Sequence, residues 1–210
     1  MINKGSFKSC FIMSGVTCFA IGSIRQLHNM ANASKTVISG PESLMAKKAH
    51  GTCPGPVQEN LRYDCDRAVA DNISCFNRHY AEYSGYAFSN QVTWLETITS
   101  NANNANNSDQ AQATETEIYY DSVTGKPLFK APMGRTLQEF IKESQKHGWP
   151  SFRDNEVIWE NVRVLDGGET VSVDGTHLGH NLPDFKGNRY CINLVSVAGN
   201  PITRTDLDIN

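Results

Sequence analysis

Residues 173–199 read VDGTHLGHNLPDFKGNRYCINLVSVAG, and the chain is organised around the single cysteine in this stretch. Arg189-Tyr190-Cys191-Ile192-Asn193-Leu194-Val195 has the pattern of a strand. Successive strand side chains point to opposite faces, so Arg189, Cys191 and Asn193 share one face and Tyr190, Ile192 and Leu194 the other. A thiol between a guanidinium and an amide, backed by an apolar face, has the surroundings of a nucleophile, because a fixed cation favours the thiolate. Upstream, His177 and His180 stand in HLGH, where Gly179 permits a bend, and supply proton donors near neutral pH. Residue type alone leaves the plainer alternatives open: a buried small hydrophobe for the thiol and ordinary surface residues for the imidazoles.

Working outward, Val157 to Leu165 and Thr170 to Val173 read as strands joined through Asp166-Gly167-Gly168, which favours a tight hairpin. With a strand over Tyr190 to Val197 they make a small antiparallel sheet. Ile118-Tyr119-Tyr120-Asp121 is strand-like, and Val123 to Pro127 turns the chain into Leu128 and Phe129. Thr136-Leu137-Gln138-Glu139 is a capping box that opens a helix. Leu137, Phe140 and Ile141 form its apolar stripe, and Lys146, His147 and Gly148 suit its end. Trp149 then leaves the helix with its direction set by Pro150. The expected fold class is α+β, mainly antiparallel β, with helices packed from the N-terminal side.

HLGH, then Asp184, then Arg189-Tyr190-Cys191-Ile192-Asn193, resembles the signature of the methionine-R-sulfoxide reductase B family, and Gly148-Trp149-Pro150-Ser151-Phe152 resembles its substrate-pocket motif. The resemblance runs from about Tyr119 to Pro201. It implies small twisted sheets forming a tent-like barrel, and a Cys191 that attacks the sulfoxide sulfur and becomes a sulfenic acid. It also implies His177 or His180 as the proton source and Asn193 as a further catalytic residue. Trp149, Phe152, Asp184 and Arg189 then serve the substrate site. The sequence departs from the family in three places. Many members bind a structural zinc with two CxxC pairs; the corresponding residues here are Asp121-Ser122-Val123-Thr124 and Val171-Ser172-Val173-Asp174, so that zinc is not expected. A family position for the resolving cysteine holds His147. The loop from Pro183 to Arg189 is shorter than usual.

The 210 residues suit one domain with extensions or two small ones. With 39% hydrophobic and 20% charged residues the chain can build an ordinary core, and a net charge of −3 with no basic stripe gives no reason to expect nucleic acid. Residues 1–43 hold no acid before Glu42. Lys4 and Lys8 precede an apolar run from Cys10 to Ile24, with Ala31-Asn32-Ala33 after it, in the manner of an organelle or secretory targeting segment. An internal start at Met30 or Met45, giving a cytoplasmic chain, is the alternative. The run is short for a membrane span, which needs about 20 apolar residues.

Residues 44–99 read as a helical segment. Pro56 is placed to open a helix, and Val57, Leu61, Cys65, Ala68 and Val69 recur at helical spacing. Cys53, Cys65 and Cys75 with His50 and His79 form a possible zinc set, although their spacing matches no standard ligand ladder. One of these thiols is alternatively the group that resolves an oxidised Cys191. Residues 100–117, SNANNANNSDQAQATETE, are polar and low in complexity and read as a loose linker. Residues 118–202 are the reductase-like part and 203–210 a tail.

The expectation is a thiol-dependent oxidoreductase that reduces methionine-R-sulfoxide, in oxidised proteins or free, as a monomer without cofactor. A second thiol, thioredoxin or a small thiol regenerates it. The competing reading is a non-catalytic relative that binds a peptide or a metal.

Overall fold

The computed structural model describes residues 37–106 and 116–202. The expected targeting segment therefore lies almost wholly outside the described residues. So do Cys10, Cys18, the centre of the polar stretch and the tail.

The strands are β1 (Glu117–Tyr120), β2 (Pro127–Ala131), β3 (Ser151–Phe152), β4 (Val162–Val164), β5 (Glu169–Ser172), β6 (His177–Asn181) and β7 (Tyr190–Ile192). β1 and β2 form one antiparallel sheet, and the others form a five-stranded sheet in the order β3-β7-β6-β5-β4, with every pairing antiparallel. With the helices this is an α+β fold, as the sequence pattern predicts. The Asp166-Gly167-Gly168 turn joins β4 to β5 as read, although β4 starts only at Val162.

The helix after the capping box is α3 (Leu137–His147), following α1 (Arg67–Asp71) and α2 (Trp94–Asn106). Thr136 Oγ1 accepts from the Glu139 amide at 3.2 Å, and Glu139 Oε2 accepts from the Thr136 amide at 2.8 Å. The helix closes at Gly148, which sits in the left-handed region at φ 85°. Its buried Phe140 enters an aromatic cluster with Trp94, Tyr119, Phe129 and Phe152. Phe129 and Phe152 stack at 4.3 Å between centroids, and the Trp94 indole donates to Tyr119 Oη at 3.1 Å. Truncating any of these rings to alanine costs about 3–5 kcal/mol.

Three elements differ from the pattern-based reading, each because tertiary hydrogen bonds or core packing override local preference. No helix starts at Pro56. The Gln58 amide donates to Ser122 O at 2.8 Å and the Arg62 amide to Ala198 O at 2.7 Å, which holds this stretch as an extended strap on the sheet domain. Tyr63 and Asp64 then take φ 62° and 56°, and α1 begins only after Asp66, whose carboxylate accepts from the Val69 amide. Ala68 and Val69, read as part of an apolar stripe, are exposed. Second, α2 runs to Asn106, into the stretch read as a linker, because Trp94 and Ile98 anchor it in the core one turn apart. Third, the strand expected to reach Val197 ends at Ile192 and gives way to a 3-10 turn over Leu194–Ser196. Residues of 57–98 share one core with both sheets, so the N-terminal segment belongs to the same packing unit.

Candidate functional site

The site sits where β7 runs between β3 and β6. Cys191 pairs with His180 on one side and Ser151 on the other. Cross-strand partners of this kind hold their Cβ atoms about 4.5–5.5 Å apart. Thr170 pairs with Gly179 while Val171 pairs with His177, so Leu178 is an extra residue in β6. In a regular strand His177 and His180, three apart, would face opposite ways. The bulge removes one residue from the count and returns both to one face, with ring centroids 5.6 Å apart. Gly179, at φ 152°, is required there: a Cβ would lie 2.1 Å from the Cys191 carbonyl oxygen.

The sulfur of Cys191 is half-buried. Arg189 Nη1 donates to it at 2.5 Å, and the Ser151 hydroxyl lies 3.8 Å away. The guanidinium is held from behind. Its Nε stands 3.3 Å from Asp184 Oδ2, and Asp184 is gripped by Arg153, with contacts of 3.0 and 2.8 Å. Arg153 also pairs with Glu143 on α3. The Arg153 hydrogen bonds hold the Asp184 carboxyl well below the usual carboxylate range, so the anion that anchors Arg189 stays ionised.

His177 is buried, and its Nδ1 is 2.8 Å from Glu169 Oε1. Arg78 Nε reaches both oxygens of the same carboxylate, at 3.1 and 3.0 Å. Burial works against ionising Glu169, but the bonds and charges of His177 and Arg78 outweigh it and bring its pKa down to about 2. An ionised Glu169 can only accept, so His177 Nδ1 carries the proton. His180 is exposed at its outer edge. Desolvation of its ring, then the neighbouring His177, hold its pKa below the usual histidine value. At neutral pH His180 is therefore a proton acceptor.

Asn193 is buried. Its Oδ1 accepts from the Glu82 amide at 3.2 Å and its Nδ2 donates to Leu178 O at 3.2 Å. Trp149 is half-buried, and its indole N–H donates to the Glu82 carbonyl at 3.2 Å. The main chain of Glu82 thus ties two candidate residues together. Its carboxylate accepts from the amides of Leu194 and Val195 at 2.8 and 3.1 Å, which is why β7 ends where it does. Burial pushes this carboxyl up to about 8 against those two bonds.

Of the eight candidate residues, Cys191, His177, His180, Asn193, Arg189, Asp184 and Trp149 join this constellation directly or through one shared partner. Phe152 does not. It follows Ser151 on β3, so it points away from the sulfur, and it is fully buried in the aromatic core. Ser151 is the residue of that motif that meets Cys191. Sequence reasoning missed Glu169, Arg78, Glu82, Arg153 and Ser151. Ser151 and Arg153 follow from strand alternation around GWPSFR; nothing in one sequence pairs Arg78 or Glu82 with residues 90 or more positions away.

The proposed Cys/His set in the N-terminal segment is not brought together as read. Cys53 and Cys75 form a disulfide, and Cys65 lies apart as a buried free thiol. Among the described residues the grouping with ligand-like spacing is His50, Asp71 and Cys75, without Cys65 or His79. Asp121, Ser172 and Thr176, at and beside the places compared above with CxxC pairs, form a buried network. Thr176 Oγ1 donates to the Asp121 carboxylate, and Ser172 Oγ accepts from the Thr176 amide at 3.1 Å. Among the described residues no helix is long and apolar enough to cross a membrane. No protein-family model matches the chain.

Proposed function

We propose that this chain is a peptide-methionine (R)-S-oxide reductase, a protein-repair enzyme of oxidative stress with Cys191 as its nucleophile. The observation that carries the reading is the Arg189 guanidinium on the Cys191 sulfur with His180 opposite it across the ladder. On this reading the two antiparallel sheets correspond to those of a tent-like barrel.

Neutral His180 accepts the thiol proton, and the Cys191 thiolate, stabilised by Arg189, attacks the sulfoxide sulfur. The imidazolium then protonates the sulfoxide oxygen. The S–O bond breaks as the oxygen passes to Cys191, which leaves methionine and a cysteine sulfenic acid. Two electrons move from the cysteine sulfur to the methionine sulfur, and the thiol proton ends on the sulfenic oxygen. His177, fixed by Glu169 and Arg78, sets the position of His180. Trp149 receives the substrate methyl against its ring, since methyl and sulfur groups pack well on aromatics, and Asn193 helps shape the site beside the sulfur.

Regeneration requires a thiol to condense with the sulfenic acid, releasing water, and a further thiol to reduce the resulting disulfide. Cys53 and Cys75 are already paired, and burial, then the negative charge of Glu82, push the Cys65 thiol up. Among the described residues no second thiol is free and reactive, so the reductant on this reading is a thioredoxin-type dithiol or a small thiol. The test is turnover of R- and S-methionine sulfoxide with dithiothreitol, and separately with thioredoxin. R-only activity that vanishes in Cys191→Ser is expected. Activity of that variant near wild type overturns the reading.

A further inference from the structure

His50-Gly51-Thr52-Cys53 is a tight turn. The His50 amide donates to Cys53 O at 3.1 Å and the Cys53 amide returns to His50 O at 2.9 Å. Gly51 takes φ 61°, and a Cβ there would lie 2.0 Å from the Cys75 carbonyl oxygen, so only glycine lets the turn lie against residues 72–76. The Thr52 amide seals the contact by donating to that carbonyl at 2.8 Å.

This docking collects more than a disulfide needs. His50 Nε2 is 2.8 Å from the Asp71 carboxylate, and donor atoms of His50, Asp71 and Cys75 all lie within 4.8 Å of one another. Cys53 Sγ is bonded to Cys75 Sγ and lies next to that group. The Phe76 ring meets the imidazole edge-on at 4.6 Å and orients it. The sulfurs are buried, whereas the His50 and Asp71 side chains keep 28% and 23% of their exposure and open a path to solvent. Carbonyl oxygens already stand by the sulfurs: Ser74 O at 3.4 Å and Gly175 O at 3.9 Å from Cys53, and Gly55 O at 4.0 Å from Cys75. Two thiols formed here would have acceptors without the turn opening. Lys48 Nζ, 2.8 Å from Thr52 O, supplies a nearby positive charge.

We infer that the reduced form of this turn is a binding site for a zinc-class divalent cation, with Cys53, Cys75, His50 and Asp71 as ligands. Two thiolates, an imidazole and a carboxylate form the tetrahedral set that such a cation prefers. The pair exchanges an S–S bond for two S–metal bonds. An external dithiol breaks the disulfide, giving two electrons and two protons to the sulfurs and becoming a disulfide itself. Metal binding then releases the two thiol protons to solvent, and Asp71 exchanges its hydrogen bond with His50 for the metal. The inference is independent of any role for Cys191.

The test is cobalt(II) titration of the full chain, oxidised and after reduction with a phosphine, followed by absorption spectroscopy without oxygen. The reduced chain should take up one equivalent, with thiolate-to-cobalt charge-transfer bands that zinc abolishes, and the oxidised chain should show none. His50→Ala keeps both cysteines and the disulfide; it should weaken uptake about tenfold or more. Cys10→Ser/Cys18→Ser and Cys191→Ser should leave the bands unchanged. Absence of the bands in the reduced chain, their persistence in Cys53→Ser/Cys75→Ser, or unchanged affinity in His50→Ala overturns the inference.

Discussion

Cys65 and Cys191 are the two free thiols among the described residues, and they occupy opposite environments. Cys65 follows the left-handed pair Tyr63-Asp64 and is packed under the N-terminal strap. Burial first, then the negative charge of Glu82, push its thiol up, and the Tyr86 hydroxyl only partly offsets them. Cys191 is half-buried on an open strand face, with a guanidinium on its sulfur and an imidazole across the ladder. A cysteine becomes chemistry through its fixed partners, and Arg189 is itself fixed by Asp184 and Arg153. The contrast yields four predictions.

The largest effect separates the two thiols outright. Cys191→Ser should lower R-sulfoxide turnover by about 10³-fold or more, as expected for removal of a nucleophile. Cys65→Ala should leave kcat unchanged and cost about 1 kcal/mol in denaturant unfolding. Alkylation followed by peptide mapping should label Cys191 well before Cys65.

Next is the proton path. His180→Asn should reduce kcat about 10²–10⁴-fold, the usual range for a positioned acid–base group. Because desolvation and His177 hold His180 below the usual 6.5, the acid limb of kcat/KM in the wild type should lie below that value.

A third effect concerns Glu82, the carboxyl beside both environments. Its folded-state pKa is raised from 4.5 to about 8, so the native state binds its proton more tightly than the unfolded chain. Its contribution to stability is fully present at acid pH and is lost as pH rises from about 4.5 to about 8. Unfolding midpoints across that window should show a decline on the order of a few kcal/mol. Glu82→Gln should flatten it even where it lowers stability at every pH.

The smallest effect is at the cation. Arg189→Gln, which removes the charged donor from the sulfur, should slow alkylation of Cys191 about tenfold. High salt should weaken the wild-type advantage little, because the guanidinium is buried against its partners.

What was legible in the sequence was local. The capping box at Thr136 and Glu139, the glycine at 148, the turn at Asp166-Gly167-Gly168 and the alternation of Arg189 and Cys191 each depend on residues a few positions apart. The α+β class followed from them. What was not legible depends on distant partners. The bulge at Leu178 is a property of the β5–β6 register, and the early end of β7 is set by Glu82. Phe152 belongs to the motif that resembles a substrate pocket, yet alternation from Ser151 turns it inward. The apparent helical stripe from Val57 to Val69 fails because its amides are claimed by Ser122 and Ala198. The Cys53–Cys75 pair joins residues 22 apart that only the docked turn brings together.

The central claim is tested most directly by a single turnover without reductant. The chain with Cys191 as the free thiol and the Cys53–Cys75 disulfide intact, freed of reductant, is mixed with methionine-R-sulfoxide, methionine is quantified, and sulfenic acid is trapped with a dione reagent and located by mass spectrometry. The account predicts one equivalent of methionine per chain and one adduct, on Cys191. No methionine, or an equivalent of methionine with the oxidation on Cys65 and Cys191 untouched, would contradict it.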